Sequence, residues 1–211
     1  HMMYNMYKDV KKEGDFMNNY EKIKALLKEN NGILYVKDLE KLNIHRQYLK
    51  NLEERGEVIR LIKGLYVSSD KDVNEFFVMG ERYKTGIFSH NTALYFYKLT
   101  DRTPFNLDMT FPSNVRVNFD CLDAHYIKPE LHDLGATVMN LEDGTSIRIY
   151  DLERTICDII RDRNKIDPQI FNNAMKEYFK LSNKNLNLLY KYAKKLCIDK
   201  ILKHYMEVLD N

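Results

Sequence analysis

NIHRQYLKNLEERGEVIRLIKGLYVS, residues 43–68, reads as a short amphipathic helix that runs directly into a tight β-hairpin. Ile44, Tyr48, Leu49 and Leu52 recur at helical spacing and set one apolar face. Gly56 accepts the left-handed backbone that stops a helix. Val58-Ile59, Leu61-Ile62 and Leu65-Tyr66-Val67 are β-prone runs broken at Lys63-Gly64, which predicts a hairpin turn there. The polar positions of the helix are His45, Arg46, Gln47, Lys50 and Asn51, and the hairpin adds Arg60 and Lys63. These side chains donate to phosphates and to base edges. A donor-rich helix followed by a basic hairpin predicts the reading element of a winged helix-turn-helix. The competing reading is a small α/β piece with an ordinary solvated face.

Upstream residues extend the pattern. Tyr20, Ile23, Leu26 and Leu27 form an apolar stripe that ends at Asn30-Asn31-Gly32. Val36, Leu39 and Leu42 mark a second short helix, and only Asn43-Ile44 separates it from the third. A domain over residues 16–69 follows, with a polar link at 69–74 and a second domain over 75–211. Within the second, helices are expected at 75–83 and 91–98. Short β-prone runs follow at 108–111, 115–119, 124–127, 136–141 and 146–150, with the strongest hairpin signal at Asp143-Gly144. From Asp151 the pattern returns to helix, with Pro168 placed for a first turn and an apolar face from Leu186 to Cys197. The expected fold class is α+β: the N-terminal winged helix-turn-helix, then a mixed α+β domain with a helical C-terminal layer.

Three blocks, in order along the chain, carry a resemblance to a known family. They are Arg55-Gly56-Glu57-Val58-Ile59-Arg60 with Gly64-Leu65-Tyr66, then Ser89-His90-Asn91-Thr92-Ala93-Leu94, then Glu153-Arg154-Thr155-Ile156-Cys157-Asp158. The chain resembles the AbiEi-like antitoxins of bacterial abortive-infection (type IV) toxin–antitoxin systems. One departure is His45, where the family usually carries a serine or threonine helix cap; Asn43 is the alternative cap two residues upstream. The resemblance implies an antitoxin that opposes a nucleotidyltransferase-like toxin, without a stable complex being required. It also implies repression of its own operon at promoter inverted repeats in double-stranded DNA. The alternative is a one-component winged-helix regulator whose C-terminal domain senses a ligand. Oligomeric state is not readable from the sequence.

Bulk properties narrow the classes. The chain has 211 residues, 44% hydrophobic, 30% charged, and a net charge of +2. The charge is unevenly placed: residues 19–68 carry ten basic and seven acidic side chains, residues 69–155 nine and fourteen, and residues 156–211 eleven and seven. A basic head on an acidic middle suits a DNA reader joined to a domain that avoids DNA. No apolar run approaches the roughly 20 residues of a membrane span. His1-Met2-Met3 reads as a tag remnant, the next dozen residues are polar and charged, and a cytoplasmic location without membrane contact is expected. Cys121, Cys157 and Cys197 are odd in number and widely spaced, so reduced and mostly buried thiols are expected.

No catalytic site, metal or cofactor is expected. His125 with His132-Asp133 lies across a loop containing Pro129 and Gly135, without the ligand spacing of a metal site. Ser89 and His90 are adjacent, whereas a nucleophile and its base must meet across space; Ser89 is read as a helix cap, and so is Asp151. Neither G-x-x-x-x-G-K-[ST] nor G-x-G-x-x-G occurs, and there is no E-x-K triplet. Nothing here calls for an enzyme.

Overall fold

A computed structural model describes residues 18–117 and 122–209, omitting the side chains of 208 and 209. The chain is α+β and divides into two compact units between Val78 and Met79.

The first unit begins with α1 (Asn19–Glu29). Asn18 accepts from the Glu21 amide while the Glu21 carboxylate accepts from the Asn18 amide, a reciprocal capping box. Then follow β1 (Ile33–Tyr35), α2 (Val36–Lys41), α3 (Gln47–Glu54), β2 (Val58–Ile62) and β3 (Leu65–Ser68). The strands make one antiparallel sheet in the order β1-β3-β2. Ile23, Leu26, Leu34, Leu39, Ile44, Leu49 and Leu52 form its core. Burying each leucine or isoleucine fully contributes about 1.5–3 kcal/mol relative to exposure.

Two details here escape sequence reading. The strand β1 is only three residues long, too short for periodicity to register, yet it pairs with β3 and closes the sheet. The third helix starts later than its apolar spacing suggests. Asn43 takes a left-handed backbone (φ 55°), and the Ile44 amide closes back onto the Leu39 carbonyl at 2.9 Å. Ile44 is therefore a core residue of the turn rather than of the helix.

The second unit is built on a five-stranded mixed sheet, β6-β5-β4-β8-β7. Its strands are β4 (Ile87–Phe88), β5 (Leu107–Pro112), β6 (Leu122–Ile127), β7 (Ala136–Asn140) and β8 (Ser146–Tyr150). The neighbours β4/β8 and β5/β6 run parallel, and β4/β5 and β7/β8 antiparallel. The helices are α4 (Glu75–Arg82), which crosses the division between the units, α5 (His90–Phe96), α6 (Pro129–His132), α7 (Leu152–Arg161), α8 (Pro168–Lys180), α9 (Leu186–Lys195) and α10 (Asp199–Leu209). The apolar faces of α7, α8 and α9 meet in a core that includes Ile156, Ile160, Ala174, Tyr178, Leu189 and Ala193. The hairpin at Asp143-Gly144 joins β7 to β8, and Asp151 and Asp167 cap α7 and α8.

Several expectations are corrected. Val115–Val117 form no strand, and Val117 is only half-buried; the rest of that run, like Cys121, lies outside the described residues. Cys157 is buried, but Cys197 is exposed, at the left-handed residue (φ 58°) that follows α9. The central strand β4 has two residues, Ile87 and Phe88, both fully buried, and no strand was expected there. Such a strand forms because both neighbours supply its hydrogen-bonding partners, not because two residues carry a β signal.

Candidate nucleic-acid interface

Each of the seven donor residues named from the sequence lies in the first unit. His45, Arg46, Gln47, Lys50, Arg60 and Lys63 are exposed, and Asn51 is half-buried. Gln47, Lys50 and Asn51 stand at i, i+3 and i+4 on α3 and share a face. The hairpin that carries Arg60 and Lys63 has a bulge between Arg60 and Ile62. A bulge of this kind bends and twists the strand locally.

His45 takes over the entry of α3. Its ring Nδ1 accepts from the Gln47 amide at 3.2 Å, the work a serine or threonine hydroxyl does at a helix start. At the other end, Gly56 (φ 71°) lets the Glu57 amide reach the Leu52 carbonyl at 2.9 Å and closes the helix.

The donors differ in what already holds them. Arg46 pairs with Glu40, and Lys50 lies 3.7 Å from Glu54. Both pairs are exposed, and such pairs are worth about 0–1 kcal/mol, so a phosphate displaces them at little cost. Gln47 donates to Asn51 Oδ1 at 3.1 Å, and Asn51 Nδ2 donates to the Tyr20 hydroxyl at 2.9 Å. The Tyr20 ring also takes Tyr48 edge-on at 4.9 Å and the Arg55 guanidinium over its face at 4.9 Å. Tyr20 thus fastens α1 to α3 through three residues of the latter's turns. In sequence it was one member of an apolar stripe, and its separation of 31 positions from Asn51 leaves no local signal for this further role.

The second and third of those sequence blocks lie in the second unit. Ser89 begins α5, but its hydroxyl makes no cap bond. Instead it accepts from Thr110 Oγ1 at 2.9 Å and meets His90 Nδ1 at 2.9 Å. This corrects the reading of Ser89 as a capping side chain. His90 Nε2 lies 3.1 Å from Asp162 Oδ2. His125 Nε2 lies 2.7 Å from Asp108 Oδ1, and the two histidine rings stack at 3.5 Å with 13° between their planes. Burial holds the His90 pKa below its ordinary value, against the opposing pull of Asp162. The hydrogen bond from His90 in turn holds the Asp162 carboxyl well below the usual carboxylate range.

A hydroxyl, an imidazole and a carboxylate in line resemble a hydrolase relay, but Ser89, His90 and Thr110 have no exposed surface. The His125–His132–Asp133 grouping weighed from sequence does not assemble: His132 Nε2 bonds the Thr110 carbonyl at 3.1 Å, while His125 faces Asp108.

Glu153, Arg154 and Asp158 are fully or nearly buried. Arg154 donates to the Leu131 and Leu134 carbonyls at 3.1 and 2.6 Å, to Asp158 at 3.1 Å, and lies 4.0 Å over the Tyr150 ring. Glu153 accepts from the Asn185 amide at 2.8 Å and so fastens the start of α9. These are framework contacts.

Residues 21–69 match the family described as "Transcriptional regulator, AbiEi antitoxin", in agreement over that stretch with the resemblance read from the sequence. No curated protein matches the chain. Among the described residues no helix is long and apolar enough to cross a membrane.

Proposed function

We propose that the first unit is a winged helix-turn-helix that binds double-stranded DNA at inverted repeats in the protein's own promoter. On this reading the chain is a type IV antitoxin that opposes a nucleotidyltransferase-like toxin, in abortive phage infection, and has no enzymatic activity of its own. The observation that carries the DNA reading is the outward donor row of α3 beside a hairpin ending in Lys63. The helix–strand–helix–helix–hairpin order supports it, since α3 is then the helix that enters the major groove. Arg46 and Gln47, at its N-terminal end, read base edges; Arg60 and Lys63 contact phosphate or the minor groove.

A mobility-shift titration of the promoter region tests this. Gln47→Ala is expected to cost about 1–3 kcal/mol on the operator and little on random DNA, whereas Lys63→Ala weakens both alike and lowers the salt slope by about 1. Operator affinity within about twofold of wild type for both variants would remove α3 and the hairpin from the interface.

A further inference from the structure

His90, Asp108, His125 and Asp162 belong to no part of the DNA interface. They come from four places in the second unit: the start of α5, the strands β5 and β6, and the residue that closes α7. Paired strand residues share a face, and Asp108, Thr110 and His125 line one face of β5 and β6 by register. Their burial is unusual for such groups. The side chain of His90 is 0% exposed, Asp108 4%, Asp162 14% and His125 19%. Burying a carboxylate is costly unless its charge is met.

We propose that these four side chains form a binding site for one divalent transition-metal ion, with zinc the best fit. Ligand atoms of His90, Asp108 and His125 lie within 4.8 Å of one another. Asp162 Oδ2 lies 3.1 Å from His90 Nε2 and 3.9 Å from His125 Nδ1. Four ligands about 2.1 Å from a tetrahedral ion stand roughly 3.4 Å apart; His90, Asp108 and His125 supply three of them, and Asp162, which faces the other nitrogen of His125, becomes the fourth once that ring turns. Two imidazoles and two carboxylates make a neutral complex with a divalent ion, which suits a buried site. The donor set favours zinc over magnesium or calcium, which take more oxygens.

The surroundings match. A metal-bound histidine generally anchors its second ring nitrogen, and His90 Nδ1 is anchored on Ser89 Oγ. Ser89 is in turn joined to Thr110, and because both hydroxyls rotate, this line serves either tautomer of His90. Asp162 is also approached by Lys165 at 3.0 Å and Arg161 at 3.6 Å. Lys165 engages the oxygen turned away from the histidines, while Arg161 shares Oδ2 with them.

One rearrangement is required. An imidazole ligates in its own plane, and stacked rings hold their nitrogens side by side rather than converging. Loading therefore turns the His125 ring, the most exposed of the four, out of the stack. The ion then ties α5, β5, β6 and the end of α7 together, so it stabilises the unit by mass action.

The test uses the full chain, freed of metal by chelator and titrated with zinc or cobalt(II). One ion per chain is expected, with the intense visible absorption of tetrahedral cobalt. Saturating zinc should raise Tm by about 4 °C or more, and the histidine ring proton signals should move as the stack opens. His125→Gln and Asp108→Asn, with wild-type circular dichroism, are each expected to weaken binding at least tenfold. Combined replacement of His1, His45 and His204 by alanine should leave it intact. The proposal is overturned if wild type binds no ion, if its cobalt spectrum is that of an octahedral complex, if both cluster variants bind as wild type does, or if the triple variant loses the ion. A Tm that responds to pH but not to zinc would identify a proton-holding pair instead.

Discussion

Arg154 has no exposed surface, yet it carries a full charge into the second unit and joins a helix, a turn and a ring. Removing it strands Asp158, which is also fully buried and has Arg161 as a second cation at 3.3 Å. Arg154→Ala is therefore expected to destabilise the unit by about 3–5 kcal/mol, the range for breaking a buried pair from one side. Chemical denaturation followed by circular dichroism measures this; a loss below about 1 kcal/mol would show that Arg161 alone satisfies Asp158. Gly135 stands against the same arginine. Its φ of +76° is left-handed, and a Cβ there would lie 2.5 Å from Arg154 Cβ. Gly135→Ala is expected to destabilise by about 2 kcal/mol or more, since strain and overlap add. The cysteines separate in the same way. Burial pushes the Cys157 thiol up, so it stays protonated and unreactive until unfolding, whereas the exposed Cys197 is open to reagent. In a Cys121→Ser background, Cys197→Ser should remove fast thiol labelling that Cys157→Ser leaves in place.

Among the elements, α3 is positioned by three different devices: the His45 ring at its entry, Gly56 at its exit and the Tyr20 clasp across its face. The clasp makes a distinction between Gln47 and Asn51 that sequence spacing does not make. Asn51→Ala is expected to lower the Tm of the first unit as well as operator affinity, while Gln47→Ala lowers affinity alone. Tyr20→Phe, which removes the hydroxyl that accepts from Asn51, should reproduce about half or more of the Asn51→Ala loss in Tm. Equal, unchanged Tm values for all three variants would mean that the clasp does not position the helix. Glu40 gives a test of opposite sign. It holds Arg46, so Glu40→Ala should strengthen DNA binding by up to about fivefold, the ceiling set by an exposed pair of about 1 kcal/mol. Weaker binding would show that Glu40 presents Arg46 to the DNA rather than restraining it.

At the scale of the whole molecule, the division at Val78–Met79 falls inside α4, so a fragment of the second unit should start at Asn74, whose side chain accepts from the Phe76 amide at 2.9 Å. Residues 74–211 have their own sheet and helical core. We expect this fragment to fold alone and, expressed from an unrelated promoter, to rescue growth from the toxin without repressing a native-promoter reporter. Rescue that needs the first unit, with the fragment folded, would favour the one-component regulator. The tyrosines of this unit predict its alkaline limit. Burial raises the Tyr97 hydroxyl to about 12, and burial likewise raises Tyr150, Tyr178 and Tyr192. A raised pKa means the folded form keeps the proton longer. That stability is whole below the unfolded tyrosine value near pH 10, and the share held by Tyr97 is lost as pH climbs through about 12. Tyrosinate absorbance should therefore rise together with loss of helical signal, and ionisation of all four tyrosines in a folded unit would contradict their burial.

The sequence by itself determined the helices and hairpin of residues 19–68, the hairpin at Asp143-Gly144, the cap at Asp151 and the helix start at Pro168. Each rests on local physics: apolar periodicity, a glycine with positive φ, a carboxylate within reach of a free amide. It also placed the exposed donors, because a polar face on an amphipathic helix is exposed wherever its apolar face is buried. Only the tertiary structure decided what depends on distance along the chain. The strands β1 and β4 exist through their neighbours. The Ser89 hydroxyl meets His90 and accepts from Thr110 instead of capping, and His125 meets residues 17 and 35 positions before it rather than His132. Those pairings are set by strand register and by where β4 lies in the sheet, and neither leaves a periodic signal in the residues themselves.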